Sequence, residues 1–152
     1  MVDWQWVSHP NWFYKISKYA LPFFKSRYVP TSYFLDKVDQ EKIDLSEFVL
    51  KPLFSFAGTG VEISPDLEKI NKISDKENYL LQQKVNYEPV IKDLNNNGVK
   101  VELRLLYIWP DGADRPKLVT NLARLSRGLM IGVDHNKNAD WVGGSTAFFD
   151  IN

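Results

Sequence analysis

Apolar and polar positions recur with two different periods along this chain, helical at first and strand-like afterwards. Pro10 suits a first helical position, and Trp12, Phe13, Ile16, Tyr19, Ala20 and Phe23 recur at helical spacing until Pro22 disrupts the pattern. One amphipathic helix is predicted there. YVPTSYFLDKV then reads as a short extended segment, and DLSEFVLKPLF as a strand leading into a glycine turn. Ser64, Pro65 and Asp66 read as a helix start, with a capping hydroxyl, a proline in the first turn and an acid at the positive end of the dipole. Leu67, Ile70 and Ile73 are its expected buried stripe.

From Asn78 onward the period is two, and YLLQQKV, EPVIKDL, VKVELRLLYIW, KLVTNLARLSR, LMIGV and STAFFDI are predicted strands. Asn95, Asn96, Asn97 and Gly98 form a hairpin turn, because asparagine and glycine tolerate positive φ. Val99, Val101, Leu103, Leu105, Tyr107 and Trp109 alternate onto one face, while Lys100, Glu102 and Arg104 begin the other. The loop PDGADRPK closes the next hairpin. The fold expected is α+β, mainly antiparallel sheets with a few helices.

Composition narrows the class. The chain has 152 residues, 44% of them apolar, a formal net charge of zero and no cysteine. One globular domain is expected, without disulfides or thiolate metal sites. No run approaches the roughly 20 apolar residues of a membrane span, and no signal peptide is evident, so the expected location is cytoplasmic. A neutral balance also argues against a general nucleic-acid binder. Aromatic residues crowd the first quarter, from Trp4, Trp6 and Trp12 to Tyr33 and Phe34. They either pack a helix onto the domain or form a docking face for a missing domain or protein partner.

The candidate chemistry centres on EFVLKPLFSFAGTGVEI, Glu47 to Ile63, where a strand delivers Lys51 beside a turn holding Gly58 and Gly60. A cation next to flexible backbone amides suits a polyphosphate, although the lysine precedes the glycines and so does not make a Walker loop. A solvated lysine at a strand end is the plain alternative. Arg104, Arg124 and Arg127 are suited to gripping a phosphate or a carboxylate through their planar forks, or to pairing with nearby acids. His9 and His135 are too isolated to suggest a transition-metal site.

SKY with VPTS, then FVLKPLFSFAGTGVEI, YLLQQKV and VELRLL, stand in the order found in the ATP-grasp superfamily, and over roughly residues 15 to 127 the chain resembles that family of ATP-dependent carboxylate ligases. The tail, LSRGLMIGVDHNKNADWVGGSTAFFD, more loosely resembles its glutathionylspermidine-synthase-like members. The resemblance implies a lid-like part at about 28–85 and a core-like antiparallel sheet at about 86–152. It implies ATP and Mg2+ as cofactors and a small-molecule carboxylate as substrate. Lys51 then resembles the lid lysine on the nucleotide phosphates, with Gly58 and Gly60 in the loop closing over them; Lys18, or Lys15, resembles the first phosphate lysine. Gln83 and Val85 correspond to the hinge that meets the adenine edge, and Glu88 to a ribose partner. Arg104 resembles the core arginine aimed at the transferred phosphoryl group, and Arg124 a companion on the phosphate or the substrate carboxylate. Asp150 and Asn152 resemble the D-x-N magnesium ligands, with Glu102, Asp134 and Asp140 as possible further carboxylates. Two functions follow as expectations: the nucleotide-binding part of an ATP-dependent ligase, or a non-catalytic α+β binding module with a degenerate nucleotide site.

Overall fold

The computed structural model describes residues 17–131, 136, 137 and 139–148. Their architecture is mixed α+β, with two antiparallel sheets and few helices. The chain divides into two units, Met1–Val85 and Asn86–Asn152. The predicted features at Trp4, Trp6, His9, Pro10, Trp12, Phe13, Tyr14, Lys15, Ile16, Asp134, His135, Asp150 and Asn152 lie outside the described residues.

In the first unit, strands β1 (Ser32–Phe34), β2 (Phe48–Pro52) and β3 (Tyr79–Gln83) form a sheet in the order β1-β3-β2, so the last strand to be made lies in the middle. Its two faces differ because successive side chains point to opposite sides. Leu50 pairs with Leu81 on one face, where Leu35 and Ile70 complete a buried apolar cluster. Lys51 pairs with Leu80 on the other, and Ser32 and Val49 flank Gln82 there. Phe34 shares that second face, and the rings of Tyr19 and Phe23 stack on it at 5.0 and 5.7 Å.

Tyr19 and Phe23 belong to a 3₁₀ turn, Lys18–Phe23, which is the described part of the predicted amphipathic helix. Pro22 lies inside it and lacks the amide an α-helix would need, which favours the short, tight form. Helix α1 (Leu67–Asn71) starts later than the Ser64 hydroxyl suggests: the cap is Asp66, whose carboxylate accepts from the Lys69 amide at 2.7 Å. In so short a helix only Ile70 reaches the core fully; Ile73 packs against it and Leu67 stays exposed.

In the second unit, strands β4 (Pro89–Lys92), β5 (Gly98–Ile108), β6 (Lys117–Ser126) and β7 (Gly143–Ser145) form one sheet in chain order. The β4–β5 turn is organised by Asp93, whose carboxylate accepts from the amides of Asn95 and Asn97 at 2.9 and 2.8 Å and from the Asn97 side chain at 2.9 Å. Asn96 takes φ of 65°, as the turn requires. Asp93 also pairs with Arg127 at 3.2 Å, which gives that arginine a structural partner rather than a ligand.

Two predicted strands differ from expectation over their described residues. Leu129, Met130 and Ile131 of LMIGV form bends, because the Asn136 amide oxygen gathers the N–H groups of Arg127 and Gly128 and the Ser126 hydroxyl. STAFFDI contributes only Ser145 to β7; beyond it, the Asn121 side chain bonds both backbone groups of Ala147 at 3.0 and 2.8 Å, much as a strand neighbour would. The apolar face of β5 is buried at its start and exposed farther along, although β6 pairs with it to Ile108. Val99 is fully buried beside β4, which reaches only to Lys100, whereas Leu103, Leu105, Tyr107 and Trp109 are exposed farther along the hairpin.

The hydrogen bonds from Asn97, then those from Asn95 and the charge of Arg127, hold the Asp93 carboxyl below its ordinary value against the effect of burial. Its stabilising contribution is complete above the unfolded-state value near 4 and is lost as pH falls through the lower folded-state value. Asp93→Asn is therefore expected to lower stability at neutral pH and to remove part of the acid sensitivity below about pH 4. Urea unfolding across that range checks both effects.

Candidate functional site

The second face of the β1-β3-β2 sheet carries polar side chains, Lys51, Gln82 and Ser32, among its apolar ones. Lys51 rises from β2, and its Nζ donates to Oε1 of Gln82 at 2.6 Å. Lys18 reaches the loop after β2, donating to the carbonyl of Ser55 at 2.8 Å and to its Oγ at 3.0 Å. Burial pushes the Lys51 ammonium below its ordinary value, and the charge of Lys18 lowers it further. Lys18 is lowered by its own burial. Two cations thus lie close enough to repel, and among the described residues neither forms an ion pair.

The glycine turn sits at the end of the same strand. Leu50 and Glu62 exchange backbone hydrogen bonds at 2.8 and 2.9 Å and close the loop, and the amides of Thr59 and Val61 turn back onto Phe56 and Gly58. Gly58 and Gly60 take φ of 82° and 72°, the left-handed region that glycine enters without strain. Gly60 has a second reason to be glycine, since a Cβ there would stand 2.8 Å from Cγ of Pro52.

Gln83 and Val85 lie at the end of β3 and beyond it. With Lys84 they line a cleft of about 490 Å³ whose other wall is Ser26 to Thr31. Arg27 lies over the ring of Tyr28 at 4.7 Å in that wall. The amide of Gln83 is engaged by the carbonyl of Thr31 at 2.8 Å.

Among the residues of the second unit, Arg104 and Arg124 come together on one carboxylate oxygen: Glu102 Oε1 meets Arg104 Nε at 2.8 Å and Arg124 NH1 at 3.1 Å. The register explains this, since Glu102 lies opposite Arg124 and shares its face with Arg104. Both arginines line a cleft of about 490 Å³ with Lys137, Leu122, Val142 and Gly144. Burial pushes the neighbouring Tyr87 phenol up, as does the Glu102 charge, with Arg124 opposing. Glu88, the expected ribose partner, is exposed just ahead of β4.

Magnesium ligands are not assembled within this set. Among the described residues no three His, Cys, Asp or Glu side chains gather to hold an ion, and Glu102 is engaged by two guanidinium groups. Asp150 and Asn152 lie outside the described residues. No chemical step is assigned to a metal.

Two residues of the polar face were not anticipated from the sequence, Gln82 and Ser32, both buried. The signal lay in the period: once Leu81 is assigned to the core, Gln82 falls in phase with Leu80 on the opposite face. Among the described residues no helix is long and apolar enough to cross a membrane.

Replacing Gly60 by alanine is expected to destabilise the first unit by about 1–3 kcal/mol through the positive φ and the clash with Pro52, as chemical denaturation can measure. Lys51→Met is expected to raise the melting midpoint at neutral pH, because it removes a charge that the fold disfavours. The folded-state value of Lys51 lies below its unfolded 10.5, so the wild type gains stability as pH rises across that interval, and the variant loses that part of the slope. No family model, no curated protein and no solved structure matches this chain.

Proposed function

We propose that this chain is the nucleotide-binding part of an ATP-dependent carboxylate–amine or carboxylate–thiol ligase of the ATP-grasp type. The observation that carries the reading is a pair of lysines about the end of β2: Lys51 on the sheet face, bonded to Gln82, and Lys18, bonded to Ser55 in the loop that follows and leads into the glycine turn. Like charges held together cost free energy unless something anionic offsets them, and a polyphosphate does so with charge to spare. Gly58 and Gly60 let the loop backbone approach such a ligand. Gln83 and Val85 beside their cleft suit the adenine edge, and the resemblance assigns the ribose to Glu88.

In the proposed reaction a substrate carboxylate oxygen attacks the γ-phosphorus of ATP while the bond from that phosphorus to the β-phosphate oxygen breaks. Acyl phosphate and ADP result. The amine or thiol then attacks the acyl carbon, and inorganic phosphate leaves with the electron pair of its bond to that carbon. Lys18 and Lys51 would offset the charge of the nucleotide phosphates, and the resemblance assigns Arg104 and Arg124 to the transferred phosphoryl group or the carboxylate. Mg2+, which such chemistry ordinarily employs, would fall to Asp150 and Asn152. A cytoplasmic location would suit an ATP-consuming activity.

The second reading is a non-catalytic α+β binding module. It is favoured by Glu102, which engages both arginines through one oxygen and reduces what they offer a ligand. Titration of the chain with Mg-ATP, followed by backbone amide shifts, separates the two. The ligase reading expects shifts in Ser55 to Val61 and in Gln82 to Val85 that vanish in Lys51→Ala. Absence of any response at millimolar nucleotide would overturn it.

A further inference from the structure

The ammonium of Lys51 is held by an uncharged group, and the way that group is itself held gives it a role. Gln82 is 9% exposed and lies between Ser32 and Val49 in the sheet register. Its Oε1 accepts from Lys51 at 2.6 Å, its Nε2 donates to Oγ of Ser32 at 3.2 Å, and the Ser32 hydroxyl donates to the carbonyl of Pro30 at 3.1 Å. Every bond in this chain has one permitted direction. An ammonium can only donate, so the amide must turn its oxygen to Lys51 and its nitrogen to Ser32; a carbonyl can only accept, so the serine proton must go to Pro30. The amide orientation is thereby fixed without a charged partner.

We propose that Gln82 is a positioning residue that aims the Lys51 ammonium at an anionic ligand while leaving its charge uncompensated, resting on the reading of Lys51 as a phosphate-binding cation. The choice of glutamine over glutamate is the substance of the proposal. Both side chains could reach Lys51 from this register, and both offer it an oxygen. A carboxylate would form a half-buried ion pair, neutralise the lysine and add a negative charge facing the incoming phosphate. A neutral amide supplies direction alone, and two of the three N–H groups of the ammonium remain for the ligand.

The other groups on this sheet face sharpen the expectation. From the 3₁₀ turn, Lys18 is charged and Tyr19 titratable; β1 presents Ser32 and Phe34, β2 presents Val49, and β3 presents Leu80 and Gln82. No carboxylate is among them. Among the described residues, the charge state of Lys51 answers to burial and to Lys18, and the proposal adds what stands at position 82.

The test uses the full chain with Gln82→Glu, Gln82→Met and Lys51→Ala, with ATP and inorganic tripolyphosphate as probes. Gln82→Glu is expected to weaken both probes by roughly tenfold or more, since it both pairs the lysine and repels the anion. The pH at which binding is lost should move upward in Gln82→Glu, because an ion pair holds the proton on Lys51. It should move downward in Gln82→Met, because the buried ammonium loses its acceptor. A role confined to packing would weaken binding without moving that midpoint in opposite directions. Wild-type affinity in Gln82→Glu, alongside lost binding in Lys51→Ala, would overturn the role of Gln82 and leave the phosphate site standing. If the wild type binds neither probe, the phosphate reading fails and the proposal with it. Titration of the Lys51 side chain by NMR in the ligand-free variants, each first shown to melt cooperatively, provides a readout independent of nucleotide. Unchanged titration across the three residues at position 82 would also overturn the proposal.

Discussion

An ammonium half-buried on a sheet face, within the field of a second one and without an ion-pair partner among the described residues, constrains the rest of the first unit. Burial disfavours the charge, and proximity to Lys18 disfavours it again, so the surrounding structure has to supply hydrogen-bond acceptors without supplying negative charge. The Ser55 carbonyl and hydroxyl do this for Lys18, and the Gln82 amide does it for Lys51. Such an arrangement is held in place from behind. The opposite face of the same three strands buries Leu50, Leu81, Leu35 and Ile70, and apolar burial there is what keeps β2 and β3 in the register that brings Lys51 to Gln82.

The second unit handles charge differently. Asp93 and Asn136 are both buried, and each gathers several backbone donors, so polar side chains rather than ladders fix its turns. Its arginines are neutralised in part by Glu102, a cross-strand neighbour, whereas the lysines of the first unit lack such a counterion among the described residues. Among the described residues, one unit therefore carries two lysines without an ion-pair partner, and the other carries two arginines that share one carboxylate.

The α+β character and the antiparallel sheets were legible because period-two stretches such as Gly98–Ile108 carry their strand signature in every second residue. The Asp93 turn was legible through its asparagines and glycine. The limits of the strands were less so, since bends around Asn136 and the amide bridge of Asn121 depend on contacts between distant residues that no local period encodes. The same holds for exposure along β5: the alternation at Leu103, Leu105 and Tyr107 identifies a face, but not that these side chains stay exposed while Val99 is buried. At the candidate site, Lys51 and the glycines could be named from their neighbours in sequence. Gln82 could not, because its meaning comes from strands whose partners are 31 and 50 positions away.

The strand order β1-β3-β2 also has a consequence for how the chain comes into being. Strands β1 and β2 do not pair with each other; each waits for β3, the last of the three to leave the ribosome. Until Tyr79–Gln83 has emerged, the nascent chain holds two strands with exposed edges and an unfinished apolar cluster, the condition in which chaperone capture or misassociation is most favourable. The second unit carries no such delay, because each of its strands finds its partner in the one made just before it. Synthesis and assembly are thus out of step in one half of the chain and in step in the other.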